Sequence, residues 1–241
     1  MAGGSSDQSA GAKRTMPKWE QDGRDRLKAA IRKYAKSLAD LGARDANEAD
    51  TRLFVTDFLC DAFGFDKYTD LSTEYRVKGE YVDYGVRLDN DMVAFIEVKR
   101  MNTKLGPKHL RQVQSYAVNE GVEWIILTNG AAWQIYHLSG GLPIITDLAF
   151  EVDLLGDSTP GQKVDLLFYL TREALKKGKI GEMWQAKRAT APNSLAAVLL
   201  SEPVLQTVRR ELRKTTGYNV DISEISRLVK DTCLRQECFD R

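Results

Sequence analysis

Asp83, Glu97 and Lys99 are the residues whose types and spacing point to chemistry. Asp83 lies in a β-rich run, Tyr81–Leu88, and Glu97 and Lys99 lie in and just after a second, Met92–Val98. The Asp89-Asn90-Asp91 stretch between the runs is the short turn chemistry of paired antiparallel strands. Glu97 and Lys99, two apart, leave the same face of a strand. Val93, Phe95, Ile96 and Val98 make that strand apolar enough for burial. Clustered acids in such a setting need a cation, and two hard oxygen ligands suit Mg²⁺, which keeps most of its own waters. Lys99 would position or polarise a water beside it. A solvated, charged strand end is the alternative.

The chain has 241 residues, enough for one large domain or a core with appended helices, and 43% of them are hydrophobic. Thirty-five basic residues against thirty-four acidic ones leave a formal net charge of +1. Any basic surface for nucleic acid must therefore be local. Cys60, Cys233 and Cys238 form no even framework, which points to a reducing compartment and a cytoplasmic protein. Cys233 and Cys238 lack a neighbouring His and read as two thiols on a helix rather than metal ligands. No stretch has the length of a membrane span, and the N-terminus lacks a signal-peptide hydrophobic region.

The elements that would position the site follow from periodicity. Residues 1–18, rich in Gly, Ser, Ala and Gln, are expected to form a disordered leader. A helix over Trp19–Leu41 carries Leu27, Ile31, Tyr34, Leu38 and Leu41 as one apolar stripe and stops at Gly42. A second, Ala46–Phe63, is capped by Asn47 or Asp45 and buries Leu53, Val55, Phe58, Leu59 and Ala62. Glu48 sits in its first turn with Arg52 one turn later; favourable interaction with the helix dipole is the ordinary reading of such a Glu. Thr73–Val77 reads as a strand, with Lys78-Gly79-Glu80 turning into the Asp83 strand. Pro107–Asn119 reads as a helix bearing Gln112 and Tyr116 on one face. Val122–Thr128 is a buried strand, and Asn129-Gly130 turns it into another, Ala132–Leu138. His109 and His137 are the only histidines; neither has metal-ligand spacing to the acids, and His109 is expected to be exposed.

Five motifs now stand in order: Glu48-x-x-Thr51-Arg52, Val82-Asp83-Tyr84, Phe95-Ile96-Glu97-Val98-Lys99, Gln112-x-x-x-Tyr116 and Trp124-x-x-Leu127-Thr128-Asn129-Gly130-x-x-Trp133. Together they resemble the nuclease domain at the N-terminus of type I restriction enzyme R subunits, within the PD-(D/E)xK nuclease superfamily. The resemblance runs from about Asn47 to His137, a little over a third of the chain, and Val82 stands where the superfamily name has Pro. It implies a mixed α/β, restriction-endonuclease-like core. It also implies that Asp83, Glu97 and the main-chain carbonyl of Val98 bind Mg²⁺ or Mn²⁺, with Glu48 joining directly or through water. Lys99 would hold the attacking water. Gln112 and Tyr116 would orient the phosphate backbone, or Gln112 would support Lys99. No G-x-x-x-x-G-K-[ST] phosphate loop is present, so DNA translocation is not expected of this chain.

Beyond the core, residues 156–161 form a loop before a helix from about Lys163 to Lys176. Arg172, Lys176, Lys177, Lys179, Lys187 and Arg188 make a locally basic segment that would line a DNA channel or simply be solvated. Helices are expected at Leu195–Leu200, Pro203–Arg213 and Ile222–Cys238. The sequence thus divides into a leader (1–18), a nuclease core with its N-terminal helix (19–155) and a helical extension (156–241). The expected function is metal-dependent DNA endonuclease activity in restriction or defence. The expected partners are DNA, a second copy of the chain or a higher assembly, and restriction subunits. The alternative is a catalytically silent DNA- or partner-binding subunit with the same fold.

Overall fold

A computed structural model describes residues 16–77, 80–140 and 144–239, so most of the expected leader and Lys78-Gly79 of the expected turn lie outside the described residues. The described chain forms two compact units that divide at Lys179/Ile180.

The first unit is built on one six-stranded sheet: β1 (Leu71–Val77), β2 (Glu80–Leu88), β3 (Asp91–Val98), β4 (Trp124–Thr128), β5 (Ala132–Ser139) and β6 (Ile145–Asp153). The strands lie side by side in sequence order, all antiparallel except the β3–β4 pair. That one parallel pair requires a crossover, which α3 (Arg111–Glu120) supplies. The restriction-endonuclease-like mixed core is therefore present. β6 was not anticipated: its buried positions, Ala149, Phe150 and Val152, break simple alternation where a bulge shifts the β5–β6 register at Ile135/Tyr136.

Helices flank the sheet. α1 (Lys18–Ala43) buries Leu27, Ala30 and Leu38, and α2 (Glu48–Asp61) buries Thr51, Phe54, Val55, Thr56, Phe58 and Leu59. Asn47 caps α2, its side chain accepting from the Asp50 amide at 2.8 Å. Leu53, expected to be buried, is instead 66% exposed, because the face of α2 toward the sheet runs through Phe54, Val55 and Phe58. The Tyr84 hydroxyl meets Thr56 Oγ1 at 2.9 Å and donates to the Arg52 carbonyl at 3.0 Å, joining β2 to α2. The expected helix over 163–176 is broken into α4 (Pro160–Leu167) and α5 (Arg172–Lys176), because Thr171 leaves helical geometry and caps a new helix at Ala174.

The second unit is helical, with α6 (Lys179–Ala189) leading into it, then α7 (Pro192–Leu199), α8 (Glu202–Thr216) and α9 (Ile222–Leu228). The expected helix to Cys238 stops at Leu228, gives way to a wider turn at Val229–Cys233 and ends in a short 3₁₀ turn. Among the described residues no helix is long and apolar enough to cross a membrane, and all three cysteines are free.

The chain just after β3 is held from three sides. Arg100 pairs with Asp45, and the Met101 amide donates to Thr51 Oγ1 at 3.1 Å. Asn102 Nδ2 donates to the Gly42 carbonyl at 2.8 Å, and Asn129 Nδ2 to the Thr103 carbonyl at 2.9 Å. Thr51 is 1% exposed, so Thr51→Val would leave the Met101 amide buried without an acceptor. The expected cost is about 1–3 kcal/mol in a denaturant-unfolding measurement. A change within ±0.5 kcal/mol, the range of ordinary surface substitutions, would contradict this role.

Candidate active site

Asp89 and Asn90, at φ 52° and 75°, make the two-residue turn whose twist suits a hairpin, and so fix how β2 and β3 pair. Their register sets Tyr84 against Ile96 and Gly85 against Phe95. Asp83 precedes Tyr84 and Glu97 follows Ile96, so the two acids flank the end of this pairing, where the Asp83 charge acts on Glu97. Asp83 Oδ2 accepts the Val98 amide at 2.8 Å, which binds this carboxylate to the end of β3. Lys99 reaches back along its own face to Glu97 Oε1 at 2.5 Å. The Lys99 amide donates to the Thr128 carbonyl at 2.7 Å, extending the β3–β4 pairing to the lysine itself.

The second edge of the site is the first turn of α2. Glu48 Oε1 lies 3.3 Å from Arg52 Nη2, and Arg52 Nη1 lies 3.4 Å from Asp83 Oδ1. The guanidinium thus links the helix acid to the strand acid. Arg52 is the site residue that sequence reasoning did not assign; its place beside Thr51 in the first motif was the available signal.

Side-chain exposure is 13% for Asp83 and 12% for Glu97. Burial pushes the Asp83 carboxyl above the usual range, against the Val98 amide and Arg52, which pull it down. Burial likewise raises Glu97 despite its bond to Lys99, and the Asp83 and Glu48 charges add to the rise. The three acids therefore sense one another across the site.

Other candidates fall as follows. Val98 is fully buried at the end of β3, next to the Asp83 carboxylate that its amide holds. Tyr116 is packed at 4% exposure in an apolar cluster with Val82, Phe95, Val113 and Leu127. Its hydroxyl is buried without a protein partner among the described residues. Gln112 lies in the first turn of α3, and its side chain is outside the described atoms. His109, expected to be exposed, is half-buried. Burial holds its pKa below the ordinary value, and Lys108 and then Lys99 lower it further. Of the basic segment, Arg172 is paired with Asp70 at 2.6 Å and Lys176 with Asp89 at 2.6 Å. Lys177 stands 5.1 Å above the Trp19 ring. These contacts draw all three side chains toward their own unit.

Two nearly buried carboxylates that act on each other, with a third half-exposed one sensed nearby and a main-chain carbonyl at the strand end, form an all-oxygen donor set. That set fits a hard divalent cation. Among the described residues, however, no three His, Cys, Asp or Glu side chains are grouped closely enough to hold a metal. The helix acid is held on Arg52 instead.

A family model described as type I restriction enzyme R protein N terminus matches this part of the chain. Residues 47–147 carry that match. The matched segment begins at the Asn47 cap of α2 and extends into β6, so it contains Glu48, Arg52, Asp83, Glu97, Lys99, Gln112 and Tyr116. No curated protein and no solved structure matches the chain.

The raised carboxyls carry a consequence for stability. An acid that binds its proton more tightly when folded contributes stability below its unfolded pKa, and that contribution is lost as pH rises through the folded value. The contribution of Asp83 and Glu97 to the melting temperature of metal-free protein is therefore expected to fall from about pH 4 upward, against the opposite slope of Asp61, Asp66, Asp70, Glu173 and Asp221, whose carboxyls are lowered. The Asp83→Asn, Glu97→Gln double variant should flatten this fall in a series of thermal melts. Parallel pH profiles for the two proteins would contradict the assignment.

Proposed function

We propose that the chain is a metal-dependent endodeoxyribonuclease that hydrolyses phosphodiester bonds in restriction of foreign DNA, using a PD-(D/E)xK site. The observation that carries this reading is the end of the β2–β3 pairing, where Asp83, held by the Val98 amide, and Glu97, bonded to Lys99, act on each other electrostatically. The match of residues 47–147 to type I restriction enzyme R proteins supports it.

In this reading Asp83, Glu97 and the Val98 carbonyl hold Mg²⁺ or Mn²⁺, with Glu48 as a further ligand. When bound, the ion supplies Lewis acidity at the scissile phosphate and offsets the negative charge that builds there. The chain's own residues do the positioning. The Val98 amide fixes one Asp83 oxygen and leaves the other for the site. Lys99, bonded to Glu97 Oε1, is a donor that would hold and orient the attacking water. Arg100, Lys104, Lys108 and Arg111 follow closely on Lys99 in the sequence and supply positive charge for the DNA backbone. Gln112, on the crossover helix, is assigned to orienting the substrate, with Tyr116 packed in the apolar cluster on the same helix. Two strands require two cuts, so a paired assembly of this chain or a restriction-complex partner completes the reaction.

The test is cleavage of supercoiled plasmid by the full chain with Mg²⁺ or Mn²⁺, beside Lys99→Ala and Asp83→Ala. Nicking or linearisation is expected from the native chain, falling at least a hundredfold in both variants. Cleavage retained in folded variants would overturn the site. DNA binding without cleavage under any metal would favour the silent binding subunit of the same fold.

A further inference from the structure

We propose that Arg52 is a tethered counter-cation: its guanidinium holds the place of the divalent ion between Glu48 and Asp83 and must leave Asp83 for that ion to bind. The proposal rests on the metal-dependent reading above and adds to it a residue that competes with the metal.

The geometry is that of a loose hold. Arg52 makes one contact to each acid, at 3.3 Å to Glu48 and 3.4 Å to Asp83. Its Nε is buried with no partner among the described residues. Structural arginines in the same unit behave differently. Arg26 grips Glu173 with two nitrogens at 2.9 and 2.7 Å, and Arg172 grips Asp70 with two at 2.6 and 3.3 Å. A planar guanidinium favours such two-pronged pairing with a single carboxylate. Arg52 instead spans carboxylates from a helix and a strand and leaves one donor idle, so little hydrogen bonding is lost when it moves.

Charge points the same way. With Arg52 in place, the three acids Glu48, Asp83 and Glu97 face two cations, Arg52 and Lys99. Without it they face only Lys99, and the net charge of −2 matches a divalent ion. Glu48 and Arg52 sit one helical turn apart on α2, so withdrawal of the guanidinium from the sheet also releases Glu48 toward Asp83. This accounts for a donor set of the right chemistry whose third carboxylate is held by an arginine.

The experiment is calorimetric titration of the full chain with Mn²⁺, comparing native protein, Arg52→Gln and Arg52→Lys, each checked for folding by circular dichroism. Arg52→Gln is expected to bind Mn²⁺ about tenfold more tightly, equivalent to about 1.4 kcal/mol. Its metal-free melting temperature should fall, and its rise on adding Mn²⁺ should exceed that of the native chain. Arg52→Lys, whose single ammonium cannot span both acids, should also bind more tightly than native, and it carries the test if Arg52→Gln does not fold. Mn²⁺ binding to native protein and folded variants with equal affinity would overturn the role of Arg52 and leave the metal reading standing. Weaker binding by the variants would make Arg52 a supporter of the ion rather than its competitor. Failure of all three proteins to bind Mn²⁺ would overturn the metal reading and this proposal with it.

Discussion

The structure depends on keeping two carboxylates that act on each other, Asp83 and Glu97, at about one-eighth exposure. Like charges placed so repel, and burial removes the water that would screen them. The chain answers with directed donors. The Val98 amide takes one Asp83 oxygen, Lys99 takes a Glu97 oxygen, and Arg52 leans on Asp83 from the neighbouring helix. None of these removes the conflict, since burial still raises both acids. A site left in electrostatic tension is one that gains by taking up a cation.

Much of the surrounding fold serves to hold that tension in register. The Asp89-Asn90 turn fixes the β2–β3 pairing. Beyond β3, Thr51, Asp45, the Gly42 carbonyl and Asn129 tie down the chain from Arg100 to Thr103. Two of these residues, Thr51 and Asn129, belong to the sequence motifs yet act only by holding the backbone. Thr51 of the first motif never reaches the acids; it secures the backbone that follows Lys99. Asn129 of the last motif accepts the Ala131 and Ala132 amides with its Oδ1 while its Nδ2 holds Thr103. Glycine suits position 130, since its φ of +87° is one that residues with side chains rarely adopt.

The parts of this arrangement that sequence revealed are those set by local chemistry. The β2–β3 hairpin was readable from its turn residues, the face shared by Glu97 and Lys99 from the two-residue strand period, and the start of α2 from its Asn47 cap. What escaped was set by tertiary contact. Leu53 obeys helical spacing yet points to solvent, because packing selected a neighbouring face. The helix expected over 163–176 breaks at Thr171, whose hydroxyl accepts the Ala174 amide where the sequence alone shows an unbroken apolar stripe. β6 was obscured by a bulge. Arg52 carried no signal of its own beyond its place next to Thr51, and only the folded distance to Asp83 brings it into the site.

The central claim is that Asp83 and Glu97 together form a divalent-cation site. Anomalous diffraction from crystals of the full chain grown with Mn²⁺ tests it most directly. One anomalous peak is expected between these two carboxylates and the Val98 carbonyl, with the Arg52 guanidinium no longer against Asp83. Absence of a peak there, at a Mn²⁺ concentration that supports DNA cleavage in solution, would contradict it.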